Sequence, residues 1–215
     1  MDYRLKCHAR RTCLAVAAAS VLSLLGIGTV LAQTFDSVDF DVAPKTNEAK
    51  EVGAGDLICD WRESGLGSYS IVSYDCAAQA VGAVVACIYK NKIISNTVTI
   101  TAQNVSSNQH GGGGGGGEGV VFIAGNNGRV NGTATISLEH IGGPDTHQLC
   151  PEIQPNGNGE GGQEPAVEAL AVRYCNMSIT DTTNNIVGGT QGELLEVLEN
   201  GSYTVPSCTE LLPAQ

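Results

Sequence analysis

From Leu57 onward the pattern is that of β-strands, and in several runs apolar and polar residues alternate with a period of two, the spacing of strands that bury one face. "SYSIVSYDC" (68–76), "AVVACIYK" (83–90), "IISNTVTITAQNV" (93–105), "GVVFIAG" (119–125) and "GRVNGTATISLEHI" (128–141) are rich in Val, Ile, Thr and Tyr. In "TVTITAQNV", Val98, Ile100 and Ala102 share one face, and Thr97, Thr99 and Thr101 the other. Turn chemistry separates the runs at Lys90-Asn91-Lys92, Asn126-Asn127-Gly128 and Gly142-Gly143-Pro144. A second group begins with "VEALAVRYCNMSITDTT" (167–183), and the pattern closes with "ELLEVLENGSYTV" (193–205). "GELLEVLENG" also fits a short helix with Leu194, Leu195 and Leu198 on one face; a strand with a turn at Asn200-Gly201 is preferred. Short strands at this spacing predict an all-β fold, an antiparallel Ig-like β-sandwich.

The first 32 residues carry another pattern. Arg4, Lys6, Arg10 and Arg11 precede an apolar run over 14–31 that ends Val30-Leu31-Ala32. This predicts a signal peptide over 1–32, cleaved after Ala32, and a secreted, extracellular protein. A retained membrane anchor is the other reading; Gly26 and Gly28 interrupt a run at the lower limit for a bilayer span. Residues 33–56 are acidic, with Phe35, Val38 and Phe40 as apolar anchors. They form an acidic N-terminal arm or one edge strand, ended by Pro44. The sandwich domain is expected over 57–212, with Gly-rich loops near 110–119 and 155–165.

Charge and cysteines narrow the classes of partner. Removing Arg4, Lys6, Arg10, Arg11 and Asp2 leaves 7 basic and 21 acidic residues, a net of −14. Such a surface repels nucleic acid and anionic lipid, and leaves divalent cations as candidate partners. Cys7 and Cys13 depart with the leader. Cys59, Cys76, Cys87, Cys150, Cys175 and Cys208 remain, an even set that reads as three disulfides in an exported chain. No C-x-x-C pair suggests zinc or redox chemistry, and spacing alone does not select the pairing.

Candidate chemistry is sparse. The glycine run "HGGGGGGGEG" (110–119) invites a phosphate-loop reading, but it ends in Glu118-Gly119 and enters a strand, without the Lys-Ser/Thr pair and helix that motif needs. There is no G-x-S-x-G elbow. "HIGGPDTHQLC" places His140, Asp145 and His147 close together, donors that suit zinc or copper, although the spacing matches no established ligand pattern and a polar loop between strands is the preferred reading. Asp36, Asp39, Asp41 and Asp181 are candidates for structural calcium, outside any EF-hand pattern. No other cofactor is implied. Tyr69, Tyr74, Tyr89 and Tyr174 fall in strand patterns and read as core or cross-strand neighbours, not as a sugar-stacking platform. Glycosylation sequons begin at Asn104, Asn131, Asn176 and Asn200.

"CDWRESGLGSYSIVSYDC" resembles the start of a family of small secreted proteins that carry C-x-W-R-E-T-G-L followed by a T-Y-x-C strand. "ACIYKNK" (86–92), "GNNGRVNGTATISL" (125–138), "QLCPEIQ" (148–154) and "VRYCNMSITDTTN" (172–184) continue the resemblance in order. The Asn-Gly-Gly usual after the third-cysteine strand is absent, and Cys175 stands where the pattern has Thr. The resemblance brings no assigned activity. It implies Cys175–Cys208 as an added bridge and the other four cysteines as the family's own set; Cys76 and Cys87 flank a short β return and are expected to pair, leaving Cys59–Cys150. Cys59 is then structural, Trp61 is expected to anchor the core against a disulfide, and Arg62 should face out towards a neighbouring carboxylate.

These readings point to a non-enzymatic recognition or surface-associated module whose ligand the sequence does not name. Two alternatives stand beside it: a structural subunit of a fibre or coat assembling through the 33–56 arm, and a secreted hydrolase using His140, Asp145 and His147.

Overall fold

The computed structural model describes residues 32–45, 53–110, 120–141, 149–150 and 165–213, without the side chains of 109, 110, 139 and 140. Both Gly-rich loops therefore lie almost wholly outside the described residues. Nine described strands form two sheets: β1 (Thr34–Val42), β2 (Leu57–Ser64), β3 (Ile71–Tyr89), β4 (Lys92–Ile93), β5 (Val98–Ser106), β6 (Val120–Ile123), β7 (Val130–Ile136), β8 (Ala166–Asp181) and β9 (Ile186–Val197). The smaller sheet has the order β1-β2-β7. The larger is built on β3, which pairs with β8 along one edge and with β6, β5 and β4 in turn along the other; β9 then pairs with β8. All pairings are antiparallel. The fold is thus all-β, with two packed sheets and three disulfide bridges.

One apolar cluster fills the space between the sheets. Leu57, Cys59 and Trp61 on β2 meet Val72, Tyr74 and Cys76 on β3, with Val172, Tyr174, Met177 and Ile179 from β8. Phe35, Val38 and Phe40 of β1 pack against the same cluster. β1 comes very close to β9: a Cβ at Gly188 would sit 2.4 Å from the Phe35 ring, and one at Gly189 2.9 Å from Val38. The acidic stretch is therefore not a free arm over 34–42. It is an edge strand whose apolar side is already buried, registered from Thr34↔Ser64 to Val42↔Leu57. Lys45 follows it and pairs with Glu168 and Glu199, tying this end to β8 and to the segment after β9.

Two differences from the sequence reading concern strand length. The runs 68–76 and 83–90 are parts of one strand, β3, of 19 residues. The run 93–105 is broken between Ile93 and Val98, where Ser95 leaves the ladder to accept the Cys87 N–H. The turn at Lys90-Asn91 forms as expected, with φ of 50° and 60°, the backbone of a two-residue type I′ hairpin. The segment 193–197 is strand, the preferred of its two readings, and pairs with β8.

The bridges are Cys59–Cys76, Cys87–Cys150 and Cys175–Cys208. This corrects the pairs Cys76–Cys87 and Cys59–Cys150. The physical reason is β3 itself. Cys76 and Cys87 sit on one extended strand, about 35 Å apart at the rise of a strand, and cannot meet. Cys59–Cys76 instead joins β2 to β3, and so one sheet to the other. Cys175–Cys208 matches the expected added bridge. It fixes a single helical turn, α1 (Cys208–Leu211), onto the outer side of the larger sheet.

Candidate binding groove

The larger sheet changes face partway along its strands. On β3, Val72, Tyr74, Cys76 and Ala78 point into the core, and then Val81, Ala83 and Val85 do. The phase flips at Gln79. On β8, Val172 and Tyr174 point inward, and then Met177 and Ile179 do, so the phase flips at Asn176. On β5, Val98, Ile100 and Ala102 pack inward, and then Val105 does, with the flip at Gln103-Asn104. Register is kept on both sides of each flip: Ala78↔Val105 and Ala80↔Gln103, Ala78↔Met177 and Ala80↔Cys175, Met177↔Gln191 and Cys175↔Glu193. The flips therefore form one seam across the sheet, through Asn104, Gln79, Asn176 and Gly192.

On β5 and β8 the flip falls at a residue that leaves the β region. Asn104 has φ 53° and Asn176 φ 51°, left-handed values that asparagine tolerates better than other side-chain-bearing residues. The seam divides the outer face in two. On one side, Tyr203, Val205, Leu211 and Leu212 cover Ala80, Val84, Ala86, Leu170, Ala171 and Cys175. Gln103 donates to the Leu211 carbonyl at 3.1 Å and closes that border. On the other side nothing among the described residues covers the sheet, and an open groove of about 690 Å³ remains.

The groove mixes amides and hydroxyls with apolar side chains such as Met177 and Val187, and it carries almost no charge. Its amides are Gln79, Asn104, Asn176 and Gln191, and its hydroxyls include Ser106, Ser178, Thr180 and Thr190. Asn176 donates to Gln79 Oε1 at 2.9 Å, which fixes the two amides relative to each other. Asp75 is the one ionisable residue in the lining. Burial pushes its carboxyl above the usual carboxylate range, against hydrogen bonds from Ser106, Ser107 and the Asn108 backbone. No aromatic ring and no cation lines this surface among the described residues. Such a lining offers hydrogen-bond donors and acceptors but no cation to pair with an anion.

No family model matches this chain, and no curated protein does. Trp61 is buried in the inter-sheet core, with ring centroids 4.7 Å from Tyr74 and 5.2 Å from Phe122. Arg62 faces outward, but its Nε donates to Asn131 Oδ1 at 3.0 Å rather than to a carboxylate. Asp145, His147 and the side chain of His140 lie outside the described residues. Of the calcium candidates, Asp36, Asp39 and Asp41 are exposed on β1, whereas Asp181 is fully buried at the end of β8. Among the described residues, no three His, Cys, Asp or Glu side chains gather in a metal-binding group. Nor is any described helix long and apolar enough to cross a membrane.

The groove was not singled out from sequence, although two of its residues, Asn104 and Asn176, were noted as sequons. The other two sequons lie elsewhere: Asn131 on β7 beside Arg62, and Asn200 after β9. The signal that marks the groove is the change of phase in three separate strands, each at an Asn or Gln.

Proposed function

We propose that this chain is an exported, non-catalytic recognition module. Its Ig-like sandwich presents the groove across β3, β5, β8 and β9 to a neutral, hydroxyl-rich ligand of the saccharide class. The observation that carries this reading is the seam. It lines up three amide side chains, two of them on left-handed backbone, along an open groove instead of under a covering segment. Non-glycine residues in left-handed conformations persist where the surrounding structure holds them, and they gather at binding sites. Paired amide donors and acceptors suit vicinal hydroxyls. The absence of aromatic rings in the lining removes stacking, so each site binds weakly and gains from repetition of the ligand. The leader over 1–32, three disulfides and the resemblance over Cys59 to Asn184 support export. The inter-sheet bridge Cys59–Cys76 beside Trp61 supports the Ig-like assignment. The acidic surface disfavours nucleic acid as a partner. Assembly through an exchanged arm would unzip the β1–β2 ladder and expose Phe35, Val38 and Phe40, and so is disfavoured.

The test is a glycan array probed with the labelled protein. A Cβ at Gly192 meets nothing within 4 Å, so Gly192→Trp has room at its Cβ and should project its ring into the groove. It should leave stability within about 0.5 kcal/mol of the parent, as surface changes usually do. Binding should fall at least about tenfold, the equivalent of about 1.4 kcal/mol. Retention of glycan by Gly192→Trp at parental strength would reject the groove as the site, and an array with no retained glycan would reject the ligand class.

A further inference from the structure

The core-facing alternation of β2 runs Leu57, Cys59, Trp61 and then Glu63. That of β8 runs Met177, Ile179 and then Asp181. The two carboxylates reach the same end of the inter-sheet space, and both are fully buried. Among the described residues no Lys, Arg or His pairs with either; the ion pairs present involve only Lys45 and Arg173. Burying two unpaired carboxylates together costs several kcal/mol by desolvation alone. Their described partners are neutral donors. Tyr74 donates its hydroxyl to Glu63 Oε2 at 2.7 Å. Asn184 donates to Asp181 from its backbone at 2.9 Å and from its side chain at 2.7 Å. One side chain bridges both acids: Gln33 Nε2 lies 2.8 Å from Glu63 Oε1 and 2.5 Å from Asp181 Oδ2.

Gln33 is the residue that cleavage after Ala32 would make the first of the chain. It is also where the compact body that contains the sandwich begins. In the uncleaved chain its α-nitrogen is a neutral amide. After cleavage it is an ammonium on the residue whose side chain bridges both carboxylates. We propose that cleavage after Ala32 creates the missing cation: the new α-ammonium of Gln33 pairs with buried Glu63 and Asp181 and locks β1 into the sandwich. This inference rests on the export reading, but not on the groove or its ligand. A metal ion is the poorer occupant. Among the described residues only these two carboxylates meet here, short of the three ligands of a metal-binding group.

Opposite pH responses distinguish the two chain ends. Without the ammonium, desolvation raises the Glu63 carboxyl above its usual range, against hydrogen bonds from Tyr74 and Gln33 and with the charges of Asp181 and Asp36 adding to the rise. The folded state then holds more protons than the unfolded one just above the ordinary carboxylate range. Stability in that window rises as pH falls. With the ammonium in place, Glu63 is held ionised and stability falls on acidification. The amine itself should titrate above its ordinary value of about 7.7–8.0. Its contribution is complete below that value and is lost as pH rises through the raised one.

Two chains test this, one beginning at Gln33 and one extended by Leu31-Ala32. Equilibrium unfolding across pH should show the Gln33 chain favoured roughly tenfold in folding constant near neutral pH, matching a rise of about one unit in the amine pKa. The extended chain should show the reversed slope in the carboxylate range. NMR titration of the α-amine should report the raised value directly. Glu63→Gln with Asp181→Asn in both chains should erase the difference; the comparison of chain ends stands even if that variant folds poorly. Identical pH profiles would overturn the pairing, as would an amine titrating at its ordinary value. So would cyclisation of Gln33, in which the α-nitrogen attacks Cδ, ammonia leaves and the bridging Nε2 is lost. The N-terminal residue of the exported protein is read separately by mass spectrometry. A start other than Gln33 would overturn the processing site alone.

Discussion

Trp61→Ala should destabilise the fold by about 3–5 kcal/mol, and Gly132→Val should destabilise it in the parent but rescue it in Trp61→Ala. Trp61 is buried among Tyr74, Phe122 and the rest of the inter-sheet cluster, so truncation loses both the transfer of a large ring and the packing of its neighbours. The ring lies directly over Gly132, its cross-strand partner on β7. A Cβ there would fall 2.3 Å from Trp61 Cζ2. In the parent, that clash forces the indole or the β2–β7 ladder to move. In Trp61→Ala the same space is empty, and a valine refills part of it. The sign of the Gly132→Val effect should therefore reverse between the two backgrounds, with a coupling of at least about 1–2 kcal/mol between contacting residues. Urea unfolding of the four proteins measures it. Additive effects would mean that Trp61 does not pack on Gly132, and the register of β2 against β7 would need revision.

Much of this arrangement is readable from residue order. The alternation Leu57, Cys59, Trp61 fixes the buried side of β2, and it carries Glu63 inward with them because the period of a strand is strict. The buried acid at the chain's start is thus implied by the pattern. Its partner Asp181 follows from Met177 and Ile179 in the same way, but nothing local says that the two ends meet. The seam is equally legible. "CAAQAVGAVVAC" keeps one phase to Ala78 and another from Val81, and a change of phase resembles a break between strands. Taking 68–76 and 83–90 as separate runs shortens β3, puts a return between Cys76 and Cys87, and makes their pairing attractive. The structure keeps the strand whole, because both neighbours, β5 and β8, flip at the same level. Disulfide pairing depends on which strands are neighbours, which is a long-range property. Only Cys175–Cys208, suggested by two added cysteines, escaped that dependence. The groove was hidden for a similar reason. Asn104, Gln79 and Asn176 are remote in sequence, and they become one surface only through the register of three strands.

The three bridges should contribute to stability in the order of the loops they close. The separations are 63 residues for Cys87–Cys150, 33 for Cys175–Cys208 and 17 for Cys59–Cys76. In the chain-entropy account, a cross-link restricts the unfolded ensemble more as its loop grows. Paired replacement of Cys87 and Cys150 by alanine should then cost about 4 kcal/mol, and that of Cys59 and Cys76 about 3 kcal/mol. Against the roughly 5–15 kcal/mol that holds a domain of this kind folded, either loss is large. The order carries more weight than the values, because the corrected pairing creates it. Had Cys59 joined Cys150, its loop would have been the longest and that of Cys76–Cys87 the shortest. Denaturant unfolding of the three double variants, made in the chain that begins at Gln33, decides between the two patterns. The Cys59–Cys76 variant brings a complication that the entropy account omits. Both sulfurs lie in the inter-sheet cluster, where alanine leaves a cavity between β2 and β3. A loss there that exceeds the loss at Cys87–Cys150 would show that this bridge acts mainly by packing the two sheets together, and only secondarily by closing a loop.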